Sequence, residues 1–152
     1  MTGLAGYLAL HRGLRVMFID FSHLLWALKE GFAQRRSEAE LVKPLVAVDV
    51  LFIDELGKGK GTDWELSIVD EIVSQRYNRN LSLFFATNYP FAAGGVSGNA
   101  NDTLKDLSAA RVETLEDRVG PRIWSRLQQM CRLSAVSAPD ARAGSARTRS
   151  QR

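Results

Sequence analysis

The chain has 152 residues, enough for one domain with its own core and too few for two of ordinary size. Its 45% hydrophobic and 24% charged content is that of a soluble globular protein, and no apolar run approaches the roughly 20 residues that cross a bilayer, which excludes a membrane-spanning helix. The net charge of +3 resides in residues 139–152, which hold four arginines and one acid; the rest of the chain has sixteen residues of each sign, so bulk charge is no argument for nucleic-acid binding.

In chain order, residues 3–12 predict a short helix of small and aliphatic residues stopped by Gly13. Residues 14–20 (Leu-Arg-Val-Met-Phe-Ile-Asp) predict a buried strand. Ser22 is the expected N-cap of a helix with Leu24, Leu25, Leu28 and Phe32 along its apolar stripe. Residues 34–44 are polar and charged and predict a connector holding at most a further turn of helix. A second apolar strand, Val48–Ile53, ends in Asp54-Glu55. The glycine- and lysine-rich stretch 57–61 predicts a flexible basic loop, and Thr62 with Glu65 three residues later forms a capping box. The helix that follows carries Trp64, Ile68, Ile72 and Val73 and runs to about Tyr77.

Residues 81–87 predict a third strand, closed by Asn88-Tyr89-Pro90. Residues 92–102 are loop-like, and a short helix is expected near 103–110. Gly120-Pro121 opens a helix through Cys131, with proline at the first helical position, and residues 133–136 suggest a last short strand. Residues 139–152 have no apolar periodicity and predict a basic disordered tail beyond a folded unit of residues 1–138. Three apolar strands separated by amphipathic helices form the pattern of an α/β fold, a parallel sheet with helices on both faces. Chemistry in such sheets collects at the carboxyl ends of the strands, which here bear Asp20, Asp54-Glu55 and Asn88.

Four apolar residues ending in Asp54-Glu55 form a Walker B arrangement: a buried strand holds the aspartate rigidly to order a hydrated Mg²⁺, and the glutamate can polarise an attacking water. The alternative is an acidic pair that caps a turn. Asn88, one helix later, falls beside these acids on an adjacent strand, or simply belongs to a turn. Arg118, Arg122 and Arg126 recur every four residues and share one face if the helix is continuous; a solvated basic face is the alternative. The three tryptophans, Trp26, Trp64 and Trp124, predict packing groups. His11 and His23 have no partner motif, and Cys131 reads as a small core residue with no partner for an internal disulfide. No secretory signal and no zinc-ligand spacing is visible, which points to the cytoplasm.

Together, the Walker B strand, the asparagine at the next strand end and the run Glu116-Asp117-Arg118 to Ser125-Arg126-Leu127 resemble the AAA+ ATPases of the helicase-loader (DnaC) and transposition-helper (IstB) type. Residues 11–16 are similar to that family's helix-to-strand junction after the phosphate loop, and residues 21–26 to the segment after its second strand. The resemblance covers about residues 2–142 and implies a P-loop NTPase-like AAA+ core that binds ATP and Mg²⁺. It implies assembly as a homo-oligomer or with related AAA+ subunits, on DNA, acting on a replicative helicase or a transposase. Asp54 would hold Mg²⁺, Glu55 would activate water, Asn88 would be the first sensor, and Arg126 an arginine finger reaching a neighbouring subunit. Arg142 loosely matches a second sensor.

The family's Gly-rich loop ends in Gly-Lys-Thr where this sequence begins: Thr2 stands at the Mg²⁺-facing threonine and Met1 at the lysine. The phosphate cradle and the strand before it are therefore expected to be missing, leaving one strand edge unpaired. Residues 57–62 do not replace the cradle, because Lys60 is followed by Gly61; phosphates of nucleic acid are the better match for that loop. Two functions remain open at this stage. One is an ATP-driven helper of replication or transposition, represented by a truncated copy; the other is a non-hydrolysing binding module that associates with intact relatives.

Overall fold

The computed structural model describes residues 2–91 and 112–135. Strands β1 (Val16–Asp20), β2 (Val50–Asp54) and β3 (Ser82–Phe85) lie side by side in that order, all parallel. The register aligns Phe18 with Phe52 and Phe52 with Phe84, and sets Asp20 against Asp54 at the carboxyl end. Six helices surround the sheet among the described residues: α1 (Thr2–Arg12), α2 (Phe21–Ala33), α3 (Glu38–Ala47), α4 (Asp63–Asn78), α5 (Leu115–Val119) and α6 (Pro121–Met130). This is the α/β sheet with helices on both faces that the sequence pattern predicts.

The two faces are covered unequally. Met17, Ile19, Leu51, Ile53, Leu83 and Phe85 point into a core built with α2 to α6, where Leu51, Leu56, Ile68, Leu115 and Leu127 are fully buried. Val16, Val50 and Phe52 point the other way, against Ala5 and Leu8 of α1. Strand alternation divides the side chains between these two layers, so a one-residue slip of register would exchange them. Phe52 is sealed at the sheet centre, its ring stacked on Phe84 at 4.7 Å and tilted towards Phe18 at 6.4 Å. Burying such a ring contributes about 1.5–3 kcal/mol. Its two neighbours remain partly exposed where α1 does not reach.

Three local expectations are corrected. Ser22 does not cap α2: β1 runs straight into the helix, and Asp20 is the N-cap, its carboxylate accepting from the His23 amide at 2.9 Å. The stretch 34–44 is no mere connector, since α3 begins at Glu38 behind a capping box of Ser37 and Glu40 and buries Leu41, Val42, Leu45 and Val46. Pro44 removes one hydrogen bond inside α3, and the cap and the buried stripe outweigh that loss. Finally, residues 133–135 form no strand.

Other expectations hold. The Thr62–Glu65 capping box opens α4, and Pro121 is the first residue of α6. Gly31 lies against α3, where a Cβ would collide with the Leu41 side chain. The expected helix at 103–110, the loop 92–102 and the tail 139–152 lie outside the described residues.

Candidate functional site

The carboxyl ends of the strands bring the predicted acids together. Asp20 and Asp54 are register partners on neighbouring strands. Pairing continues beyond the strands proper: Ala86 donates to Ile53 O at 3.0 Å, Leu56 donates to Ala86 O at 2.8 Å, and the Thr87 hydroxyl donates to Leu56 O at 2.8 Å. Asn88 follows immediately and is exposed. Leu56 is buried, which anchors the turn just after the acids.

Glu55 has a left-handed backbone, φ +55, with its amide donating to Asp54 Oδ1 at 3.1 Å. Its carboxylate is ion-paired with Lys58. That pair raises the Lys58 ammonium pKa, first through the hydrogen bond and then through the charge of Glu55, with a smaller contribution from Asp20.

The glycine-rich loop after Glu55 is held from both sides, which corrects the flexible loop read from composition. Arg118 donates through Nε to Gly57 O at 3.0 Å and through Nη2 to Gly59 O, while its guanidinium lies 5.3 Å from the Tyr89 ring. Glu65 is buried and its Oε2 accepts from the amides of Lys60 (2.8 Å), Gly61 (2.9 Å) and Thr62 (3.4 Å). Its other oxygen meets Lys29 Nζ at 3.4 Å. Burial alone would raise the Glu65 pKa, but these amides and Lys29 pull it below the ordinary glutamate value.

Arg118 therefore does not share a face with Arg122 and Arg126. Gly120, at φ +82, breaks the helix between α5 and α6 and sends the arginines in different directions. Arg126 donates through Nη1 to Asp70 Oδ1 of α4 at 2.7 Å, and Arg122 lies 3.5 Å from Asp70 Oδ2. Thr2 is the first residue of α1, but its side chain, like Arg142, lies outside the described residues.

Among the tryptophans, Trp124 is buried against Phe91 and Trp64 packs edge-on against Phe32. Trp26 contradicts the packing assignment: it is 60% exposed, and among the described residues its ring stacks on His23, at 5.9 Å.

Sequence reasoning placed Asp20 at a strand end and Arg118 in the arginine run but missed the contacts that they make, and it missed Lys58 and Asp70 as participants. Lys58 had a faint signal, three residues from Glu55. The contacts of Arg118 and Asp70 had none, since Gly57 lies 61 residues from the one and Arg126 56 from the other.

The donor set suits part of a magnesium–nucleotide. Asp54, beside Asp20 at a rigid strand end, fits a partner for a hydrated cation, although no group of three or more His, Cys, Asp or Glu ready to ligate a bare ion occurs among the described residues. The 57–61 loop offers few donors to phosphate: the amides of Lys60 and Gly61 are spent on Glu65, and those of Lys58 and Gly59 on Glu55 O and Gly57 O. No described helix is long and apolar enough to cross a membrane.

No protein-family model matches the sequence, and no curated protein does. Among solved structures, the chain is similar to a DnaC helicase loader, with a TM-score of 0.65 and 22% identity over 86% of this chain and 66% of that one. It is also similar to a DNA replication initiation factor, with a TM-score of 0.59 and 19% identity over 82% of this chain and 32% of that one. The chain thus spans less than two thirds of either neighbour. It shares the α/β fold of these two chains, a parallel sheet with helices on both faces.

Proposed function

From a fold shared with a helicase loader, we propose that the chain is the core of an AAA+ subunit of the helicase-loader or transposition-helper type, acting on DNA replication or transposition complexes with ATP and Mg²⁺ as its cofactors. The observation that carries this reading is Asp54-Glu55 at the carboxyl end of the central strand, with Asp20 on one side and Thr87-Asn88 on the other. Asp54 holds the hydrated cation, Glu55 polarises water and Asn88 orients it. Thr2 and Arg142 are assigned the cation-facing hydroxyl and the second sensor. A bound nucleotide would supply the phosphoryl group; every other role belongs to the chain. Arg126 acts on a neighbouring subunit, a homologous copy or a related AAA+ protein, where a finger in trans stabilises developing negative charge. The replicative helicase or transposase and DNA are the partners this assigns, and the cytoplasm the compartment.

A second reading has its own support. Glu55 is tied to Lys58, as in a non-hydrolysing module that keeps Arg126 for intact partners. Titration of the 152-residue chain with a fluorescent ATP analogue and Mg²⁺, with unfolding monitored by circular dichroism, separates the two. The expected result is binding that saturates only at millimolar concentration and is lost in Asp54→Ala. No binding by a folded chain selects the non-hydrolysing module. Binding that Asp54→Ala leaves untouched refutes the strand-end site altogether.

A further inference from the structure

We propose that a second copy of this chain docks on the α1 side of the sheet, each copy laying the outer side of its α1 over the phenylalanine row that the other leaves open. The inference goes beyond the function proposed above and uses a different surface, since α6, which carries Arg126, packs on the opposite face.

The two layers of this fold are finished to different degrees. On the α2 to α6 side the strand residues are sealed into the larger core. On the other side, α1 is the helix that meets the sheet among the described residues, through Ala5 and Leu8. All-parallel sheets are ordinarily covered on both faces. Here Phe18, Phe52 and Phe84 stand in one row across the three strands, and of these only the middle ring is buried; the outer two keep 38% and 40% of their surface.

α1 has the complementary surplus. Its residues 2–10 include no charged side chain, and Leu4, Tyr7 and Leu10 follow one another at helical spacing in the open, the last 84% exposed. A helix that is apolar all round is one that its neighbours enclose. Gly3 and Gly6 have open space where a Cβ would stand, which lets another backbone come close. One chain thus holds both a helix side that lacks a cover and a sheet region that lacks a helix. Two-fold symmetry satisfies both together, because an isologous contact uses each surface twice.

The area fits this occupant. Leu4, Tyr7, Leu10, Phe18 and Phe84 together expose roughly 600 Å² per copy, so a pair buries on the order of 1,200 Å², the lower end of specific interfaces. A patch of that size is also the upper end of what a monomer leaves in water. The pair is therefore expected to be reversible, with a micromolar dissociation constant.

Sedimentation velocity on the full 152-residue chain, over about 1–200 µM, tests this. A reversible monomer–dimer equilibrium is expected. Leu10→Glu should weaken it about tenfold or more and leave the circular dichroism spectrum as it was, since Leu10 is open to solvent within its own copy. Trp26→Glu, which alters an exposed aromatic on α2, should leave the equilibrium unchanged. In a mixture of ¹³C-labelled and unlabelled copies, isotope-filtered NOEs should join the Leu10 methyls of one copy to a Phe18 or Phe84 ring of the other, a readout that needs no variant to fold. A chain that stays monomeric over the whole range overturns the proposal, whether another segment of the same chain or water covers the face. So does growth into larger oligomers, a dimer that Leu10→Glu leaves intact, or one that Trp26→Glu breaks equally.

Discussion

Replacing Arg76 by methionine is expected to destabilise the protein by about 3–5 kcal/mol, although the residue lies at the opposite end of the strands from the acids. Its side chain is fully buried. Nη1 donates to Leu45 O at 2.7 Å and Val48 O at 3.2 Å, and Nη2 to Asp49 O at 3.2 Å and Ser82 O at 2.5 Å. One guanidinium thus ties the end of α3, the start of β2 and the start of β3 to α4. Charge-assisted bonds contribute about 1.5–3 kcal/mol each, so the four amount to roughly 6–12 kcal/mol in gross terms.

Burial opposes them and pushes the Arg76 pKa down to about 10, a cost of about 3 kcal/mol. Nε, buried with no hydrogen-bond partner among the described residues, adds to the cost. Methionine removes that penalty, but it leaves four carbonyls to find water at a partly buried edge, and the net falls in the stated range. Urea unfolding followed by circular dichroism measures it, and the melting temperature should drop by about 8–16 °C for a domain of this size. Arg76→Lys should recover only part of the loss, since one ammonium cannot span carbonyls from three elements. A methionine variant within about 1 kcal/mol of wild type, or a lysine variant equal to it, would refute the reasoning.

Two further outcomes follow from groups near the sheet. Asp49 accepts from the Arg15 side chain at 2.7 and 3.2 Å and from its amide at 2.9 Å, which holds its carboxyl pKa down at about 2. A carboxyl depressed in the folded state contributes stability above its unfolded value of about 3.9 that is lost as pH falls. The melting-temperature deficit of Asp49→Asn should therefore be full at pH 7 and shrink between pH 4 and pH 2; a deficit constant over that window excludes the pair as its source. Burial pushes the Cys131 thiol up to about 11, and its Sγ lies 3.5 Å from Leu83 O. Iodoacetamide at pH 8 should label it slowly in the native chain and rapidly in urea, and equal rates would show that the thiol is open to solvent.

The strands, α4 and α6 were legible because their signals are local: unbroken apolar runs, a capping box and a Gly-Pro start. The acids at the strand ends could be read for the same reason, since a strand delivers its last residue to a known edge. α3 was obscured by Pro44, whose propensity cost is visible in sequence while the buried stripe that overrides it is not. The mobility assigned to residues 57–61 came from glycine content, yet the groups that immobilise them are Glu65, spent in sequence terms on a capping box, and Arg118, on a different helix. Trp26 was misread because tryptophan was taken as a packing residue on its apolarity alone, although its neighbours three and four residues away are Ser22, His23, Lys29 and Glu30, the polar side of α2.

Glu55 carries a consequence for how such a protein can be improved. Position 55 is a corner where a residue with a Cβ is uncomfortable by about 1–2 kcal/mol, and where glycine would rest at ease. Heat resistance and the chemistry proposed for this corner therefore pull the position in opposite directions. A library screened only for survival at high temperature should drift towards glycine here, and its sturdiest members would be blunted at the one spot that the rest of the sheet holds in place.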